Sequence, residues 1–151
     1  MKKNCFGYNS LHKDEYFIGF GLDIEQANSD KEIGLMYSDK LKNIAIGKER
    51  DMCFNYAFKN KSLEFIDDSV DYLFEYYDMI KFKDIRKGDI ILFRDDANYL
   101  HFGRVINKGN NIGNIIIRSK FGALGIYEHK ITDTPTFYGD IISFWRNRGN
   151  L

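Results

Sequence analysis

The spacing of apolar residues changes character in the middle of the chain, at Lys87-Gly88. Before that point it is helical. Leu63, Ile66, Val70, Leu73 and Tyr77 recur every three or four positions, and Asp67, Asp68, Asp71 and Glu75 fall mostly on the opposite side. This pattern predicts an amphipathic helix capped by Ser62. Asp51 is placed to cap a shorter helix running to about Lys59, with Cys53 in its first turn. Further upstream, Asn28-Ser29-Asp30 reads as the cap of a helix over about Lys31 to Ile46, with Ile33, Met36, Leu41 and Ile44 as apolar positions and Gly34 as a weak point. Phe17-Ile18-Gly19-Phe20-Gly21 fits either a short strand or a loop.

After Gly88 the period drops to two. Ile90 to Arg94, His101 to Asn107, Asn114 to Ser119, Gly125 to His129 and Tyr138 to Trp145 read as strands. Asp95-Asp96-Ala97-Asn98, Lys108-Gly109-Asn110-Asn111, Gly122 and Pro135 supply the turns between them. Sequential strands joined by short links pair as antiparallel neighbours. The predicted class is therefore α+β, with N-terminal helices packed on a mostly antiparallel sheet of about five strands. No repeat, linker or low-complexity tract divides the chain, so residues 1–151 are expected to form a single domain, of which 1–48 is the least defined part.

Composition narrows the class. A chain of 151 residues buries a core without help from disulfides or metals, and 44% hydrophobic with 29% charged residues is the balance of a soluble globular protein. Net charge is zero, from 22 basic and 22 acidic residues, and no basic stripe interleaves with aromatics, which argues against nucleic-acid and anionic-membrane partners. No run approaches the roughly 18 apolar residues of a membrane helix. Met1-Lys2-Lys3-Asn4 carries the charge of a signal n-region, but Asn4 to Ser10 is too polar and short for the apolar part. The expected location is cytoplasmic, or outside the cell by a route without a cleavable signal. Cys5 and Cys53 are the only cysteines, and a single bridge between them is not expected.

Three segments carry candidate chemistry, in a telling order. Asp51-Met52-Cys53-Phe54-Asn55-Tyr56-Ala57-Phe58 puts a thiol at a helix start, Gly88-Asp89-Ile90-Ile91-Leu92-Phe93 follows, and His101-Phe102-Gly103-Arg104-Val105 puts a histidine on a strand. A helix start favours a thiolate and offers N–H groups to an oxyanion, and a strand holds an imidazole still. On that strand His101, Gly103 and Val105 share one face, and the glycine leaves room for a substrate or a helix. Free cysteine is also a common core residue, and a half-buried histidine a common structural one. His12, His101 and His129 with the two cysteines show no zinc-type spacing, Gly19-Phe20-Gly21 is no phosphate loop, and no carboxylate pair stands out, so neither metal nor cofactor is expected.

Taken together these segments, over about residues 49 to 120, resemble the papain-like superfamily, and within it the compact bacterial NlpC-type peptidases and CHAP amidases. The resemblance implies a papain-like core over 49–151. It also implies a Cys53 nucleophile, a His101 base, a structural Gly88-Asp89 turn, and a third polar residue on the following strand that orients the imidazole. Ser119 takes that third position, with His129 as the alternative; a serine hydroxyl accepts from an imidazole more weakly than a carboxylate does. Ser119 to His129 and Pro135-Thr136-Phe137-Tyr138-Gly139 read either as substrate-facing loops or as glycine-punctuated turns.

The function implied is hydrolysis of an amide bond through a thioester, on a peptide, a peptidoglycan stem peptide or a protein amide. The alternatives are a binding or inhibitory module whose catalytic set has decayed, and an interaction protein in which Cys53 is core.

Overall fold

The computed structural model describes residues 11–19, 21–24, 29–46 and 51–150. Cys5, Phe20 of the Phe17–Gly21 segment and Asn28 of the predicted cap lie outside the described residues. Beyond Gly88 the alternating pattern does what it predicts. Strands β4 (Ile90–Arg94), β5 (Tyr99–Asn107), β6 (Ile116–Lys120) and β7 (Ile126–Lys130) form an antiparallel meander, and β8 (Ile141–Asn147) returns to lie against β4.

The sheet does not stop there. Tyr16–Phe17 (β1) and Tyr77–Ile80 (β3) both pair with β8, and Lys42–Ala45 (β2) pairs with β7 at the other edge. The result is one eight-stranded sheet in the order β1-β8-β4-β5-β6-β7-β2, with β3 alongside β8, and every pairing is antiparallel.

This corrects the expected architecture of N-terminal helices on about five strands in a papain-like arrangement. The N-terminal third gives strands to both edges of the sheet instead of a long helix. Its helix α1 is short (Asp30–Tyr37), and Ser29 caps it by accepting from Glu32 N–H. The chain then turns at Leu41, a buried anchor, into β2. Likewise α3 spans Ile66–Tyr76, and Tyr77 leaves it for extended geometry (φ −125°, ψ 151°). Ser62 does not cap α3: its hydroxyl bonds the Asn60 side chain, and Phe65 occupies the cap position. α-Helix is left with three pieces of 8, 6 and 11 residues among the described residues, the shortest being α2 (Cys53–Phe58), besides short 3-10 turns.

The two faces of the sheet are filled differently. Helices α2 and α3 cover one face, where Phe54, Ala57, Val70 and Leu73 meet Ile90, Leu92, Phe102 and Trp145. Side chains of alternate parity, Ile91, Phe93, Val105, Ile117, Ile142 and Phe144, point the other way. There they meet Ile18, Ile80, Ile85, Ile115 and Ile131, which come from short strands and connections. No helix among the described residues is long and apolar enough to cross a membrane.

Candidate functional site

Cys53 is the first residue of α2, but Asp51 does not cap the helix. Met52 stands at the cap position, and the Asn55 side chain reaches back to accept from Met52 N–H at 2.8 Å. The Asn55 amide then donates to the Asn60 and Leu63 carbonyls, so one buried side chain ties both ends of the short helix and the chain beyond it. Lys59 ends the helix in the left-handed region (φ 53°).

The thiol lies against the sheet at a gap between strands. Gly88 N–H donates to the Val105 carbonyl and Val105 N–H to the Asp89 carbonyl, so odd-numbered residues of β5 turn their backbone groups toward β4 and even-numbered ones toward β6. The β5–β6 pairing ends at Arg104 with Arg118. The Phe102 N–H is next in line beside Cys53, and with the N–H groups of Phe54 and Cys53 itself it acts to lower the thiol's pKa. Burial nevertheless dominates. It pushes the thiol up to about 11, and the three N–H groups and the nearby Lys120 ammonium only partly oppose it. A helix start alone does not make this thiol acidic, contrary to the expectation from its position, because α2 is short and the site is dry.

His101 is the residue before Phe102, yet its ring belongs to the other face of the sheet. It is fully buried (0% exposed), 5.5 Å from the Phe93 ring between centroids. Tyr138 stacks on it at 3.6 Å with an interplanar angle of 12°. Gly103 follows the same parity: a side chain there would meet Ile91 and Ser119 at 3.2 Å and the Arg118 carbonyl at 3.0 Å. The space this glycine leaves is used within the sheet and not by a helix, since α2 packs on the opposite face. Cys53 and His101 are thus brought to adjoining peptides from opposite faces, with no hydrogen bond between them; both ring nitrogens of His101 are without a partner. Burial, then the neighbouring His129, hold the His101 imidazole far below its usual pKa, so it is neutral.

Ser119 and His129 sit on the His101 side. Ser119 pairs in register with Tyr127 and Ile117 with His129, which sets Ser119 between β5 and the His129 strand. Both side chains are buried, and the Ser119 Oγ and His129 Nε2 atoms have no partner. Burial lowers His129 to about 4. The two candidates for the third position therefore share one face and one patch.

Two residues of the site carried little signal in the sequence. Lys120, on the helix side, donates to the carbonyls of Asp51 and Gly122 and pins the start of α2 to the end of β6. Tyr138 lies in the Pro135–Gly139 turn, and its placement rests on Gly139 (φ 93°), where any Cβ would run into the Arg94 carbonyl. The glycine was the visible cue, but the histidine it serves was not.

An open groove of about 440 Å³, lined by Asp51, Asn55, Tyr56, Lys120 and Ile126 among others, flanks the start of α2. A second, of about 530 Å³, passes Leu100, Phe137 and Gly139 beside the Tyr138–His101 stack. Among the described residues no three His, Cys, Asp or Glu side chains gather as a metal site requires. No protein-family model, no curated protein and no solved structure matches this chain.

Proposed function

We propose that this protein is a thiol-dependent hydrolase of amide bonds, with Cys53 as nucleophile and His101 as general base. One observation carries the reading: Cys53 opens α2 against the sheet and packs in one cluster with Phe102, the residue that follows the buried His101. With the thiol held high and the imidazole neutral, the resting pair is uncharged. The two groups rest on opposite faces of the sheet, so the step needs a local rearrangement that brings the His101 ring to the thiol. His101 then takes the S–H proton as sulfur attacks the carbonyl carbon, and N–H groups at the start of α2 receive the charge that develops on the carbonyl oxygen. The C–N bond then breaks, His101 returns the proton to the departing amine, and water releases the acid from the thioester. Peptides or protein amides, peptidoglycan stem peptides among them, are substrates that the groove beside α2 would admit.

The low exposure of Cys53 (6%) and the tyrosine over His101 favour a second reading, a binding module in which neither group reacts. Iodoacetamide alkylation of the native protein across pH separates the two, run beside thermal melting for wild type and His101→Ala. The hydrolase alkylates near neutral pH and loses this in His101→Ala at temperatures where melting shows the variant still folded, although loss of the buried ring lowers its melting point. A thiol that reacts only as pH approaches about 11 in both proteins overturns the proposal.

A further inference from the structure

His129 Nδ1 lies 2.7 Å from the Lys130 carbonyl oxygen. A carbonyl only accepts, so Nδ1 carries the hydrogen, and in a neutral ring Nε2 is then a bare acceptor. That acceptor is buried without a partner, and so are Ser119 Oγ and both nitrogens of His101. All three residues are more than nine-tenths buried. A neutral imidazole needs one donor and one acceptor, and a hydroxyl can supply one of each to two neighbours. Ser119 is the hydroxyl between the two histidines. It stands on β6, with the His101 strand on one side and the His129 strand on the other. The missing side chain of Gly103 keeps the lane beside it clear, since Ser119 Cβ is 3.2 Å from where that Cβ would be. Both imidazoles also flank one phenyl ring, with centroids 6.2 Å (His101) and 5.8 Å (His129) from Phe121.

We propose that Ser119 and His129 together form a one-directional hydrogen-bond relay behind His101, anchored on the Lys130 carbonyl. His101 N–H donates to Ser119 Oγ, Ser119 O–H donates to His129 Nε2, and His129 Nδ1–H donates to Lys130. These side chains are unbonded as they stand, so the relay forms when Ser119 and the two rings turn toward one another. The direction leaves the other His101 nitrogen as a bare acceptor. Ser119 and His129 are thus joint positioning residues, and the second histidine fixes the tautomer of the first through the serine. The catalytic meaning of the relay rests on the hydrolase reading, but its existence does not.

Nitrogen-15 NMR of the histidine rings at pH 7, on the full chain, reads the relay directly. The expected result is one neutral tautomer for each ring, with His129 protonated on Nδ1. Ser119→Ala should turn His101 into a mixture of tautomers, and Ser119→Thr, which keeps the hydroxyl, should restore the single form. Iodoacetamide alkylation of Cys53 should fall about tenfold in Ser119→Ala, the worth of one buried hydrogen bond. His129 protonated on Nε2 in wild type overturns the relay without any variant. A His101 tautomer indifferent to Ser119→Ala overturns it too, even if the thiol is reactive and depends on His101. Tautomers that respond while wild-type Cys53 stays inert support the relay and refute the hydrolase.

Discussion

Asp89 with Arg146, and His101 with Ser119 and His129, are two clusters of buried polar side chains on one sheet, and their hydrogen bonds are filled very differently. Arg146 Nε and Nη2 each reach one Asp89 oxygen at 2.7 Å, and Nη2 also donates to the Asp84 carbonyl. Asp89 takes a third bond from Arg86 N–H, so the carboxylate also locks the turn that opens β4. Glu15 and Arg94 repeat the arrangement elsewhere, with bonds of 2.6 and 2.7 Å. In the histidine cluster four ring and hydroxyl atoms have no partner. Burial of polar groups costs free energy unless they are paired, so architecture selects the first kind of cluster and tolerates the second only where something else is served. The difference marks the Asp89–Arg146 pair as an anchor of the fold and leaves the His101 patch with bonding capacity to spare.

The sharpest way to break that comparison is Asp89→Ala. It strands a guanidinium that cannot shed its charge, and should cost about 3–5 kcal/mol in urea unfolding. A loss near zero would show that the pair is not an anchor.

Lowering the pH tests the other cluster. Both histidines are held below the ordinary value of about 6.5, so the folded protein binds fewer protons than the unfolded chain as the pH falls. Their stabilisation is present above about 6.5 and is lost as the pH falls, for His129 down to about 4, with each ring contributing a slope of up to about 1.4 kcal/mol per pH unit. The urea midpoint should fall between pH 7 and pH 5, and His129→Gln should remove a clear part of that fall. A midpoint indifferent to the substitution would mean that His129 is protonated without penalty.

The smallest effect belongs to a pair with neither burial nor chemistry. Arg148 meets Asp78 at 2.8 Å with both side chains about half exposed. Asp78→Asn should change stability by no more than about 0.5 kcal/mol, and less in high salt.

What the sequence made legible follows from the range of the forces involved. The meander from Ile90 to Lys130 is written in alternation and turn residues, both local, and β4 has the limits its pattern predicts. The shared parity of His101, Gly103 and Val105 was equally local. Strands β1, β2 and β3 are 2, 4 and 4 residues long, too short for any period, and they exist because β7 and β8 offer free edges. Which face α2 would cover, and hence that Cys53 and His101 approach from opposite sides, depends on packing between segments. The Phe102 N–H beside the thiol has no sequence signature at all, since every residue but proline carries one. The burial that raises the thiol is likewise a property of the assembled site.

The position of β8 has a consequence for how the protein is made. It is the last strand in chain order, yet it pairs with β1, β3 and β4, and so closes one side of the sheet. During synthesis the earlier strands leave the ribosome one by one, at roughly 5–20 residues per second. The meander can zip as it emerges, but β4 keeps an unpaired edge and β1 and β3 have nothing to join until residue 147 is free. A nascent chain stalled before Ile141 is therefore a half-sheet with an open, apolar edge, the kind of surface that chaperones hold and that aggregates grow from.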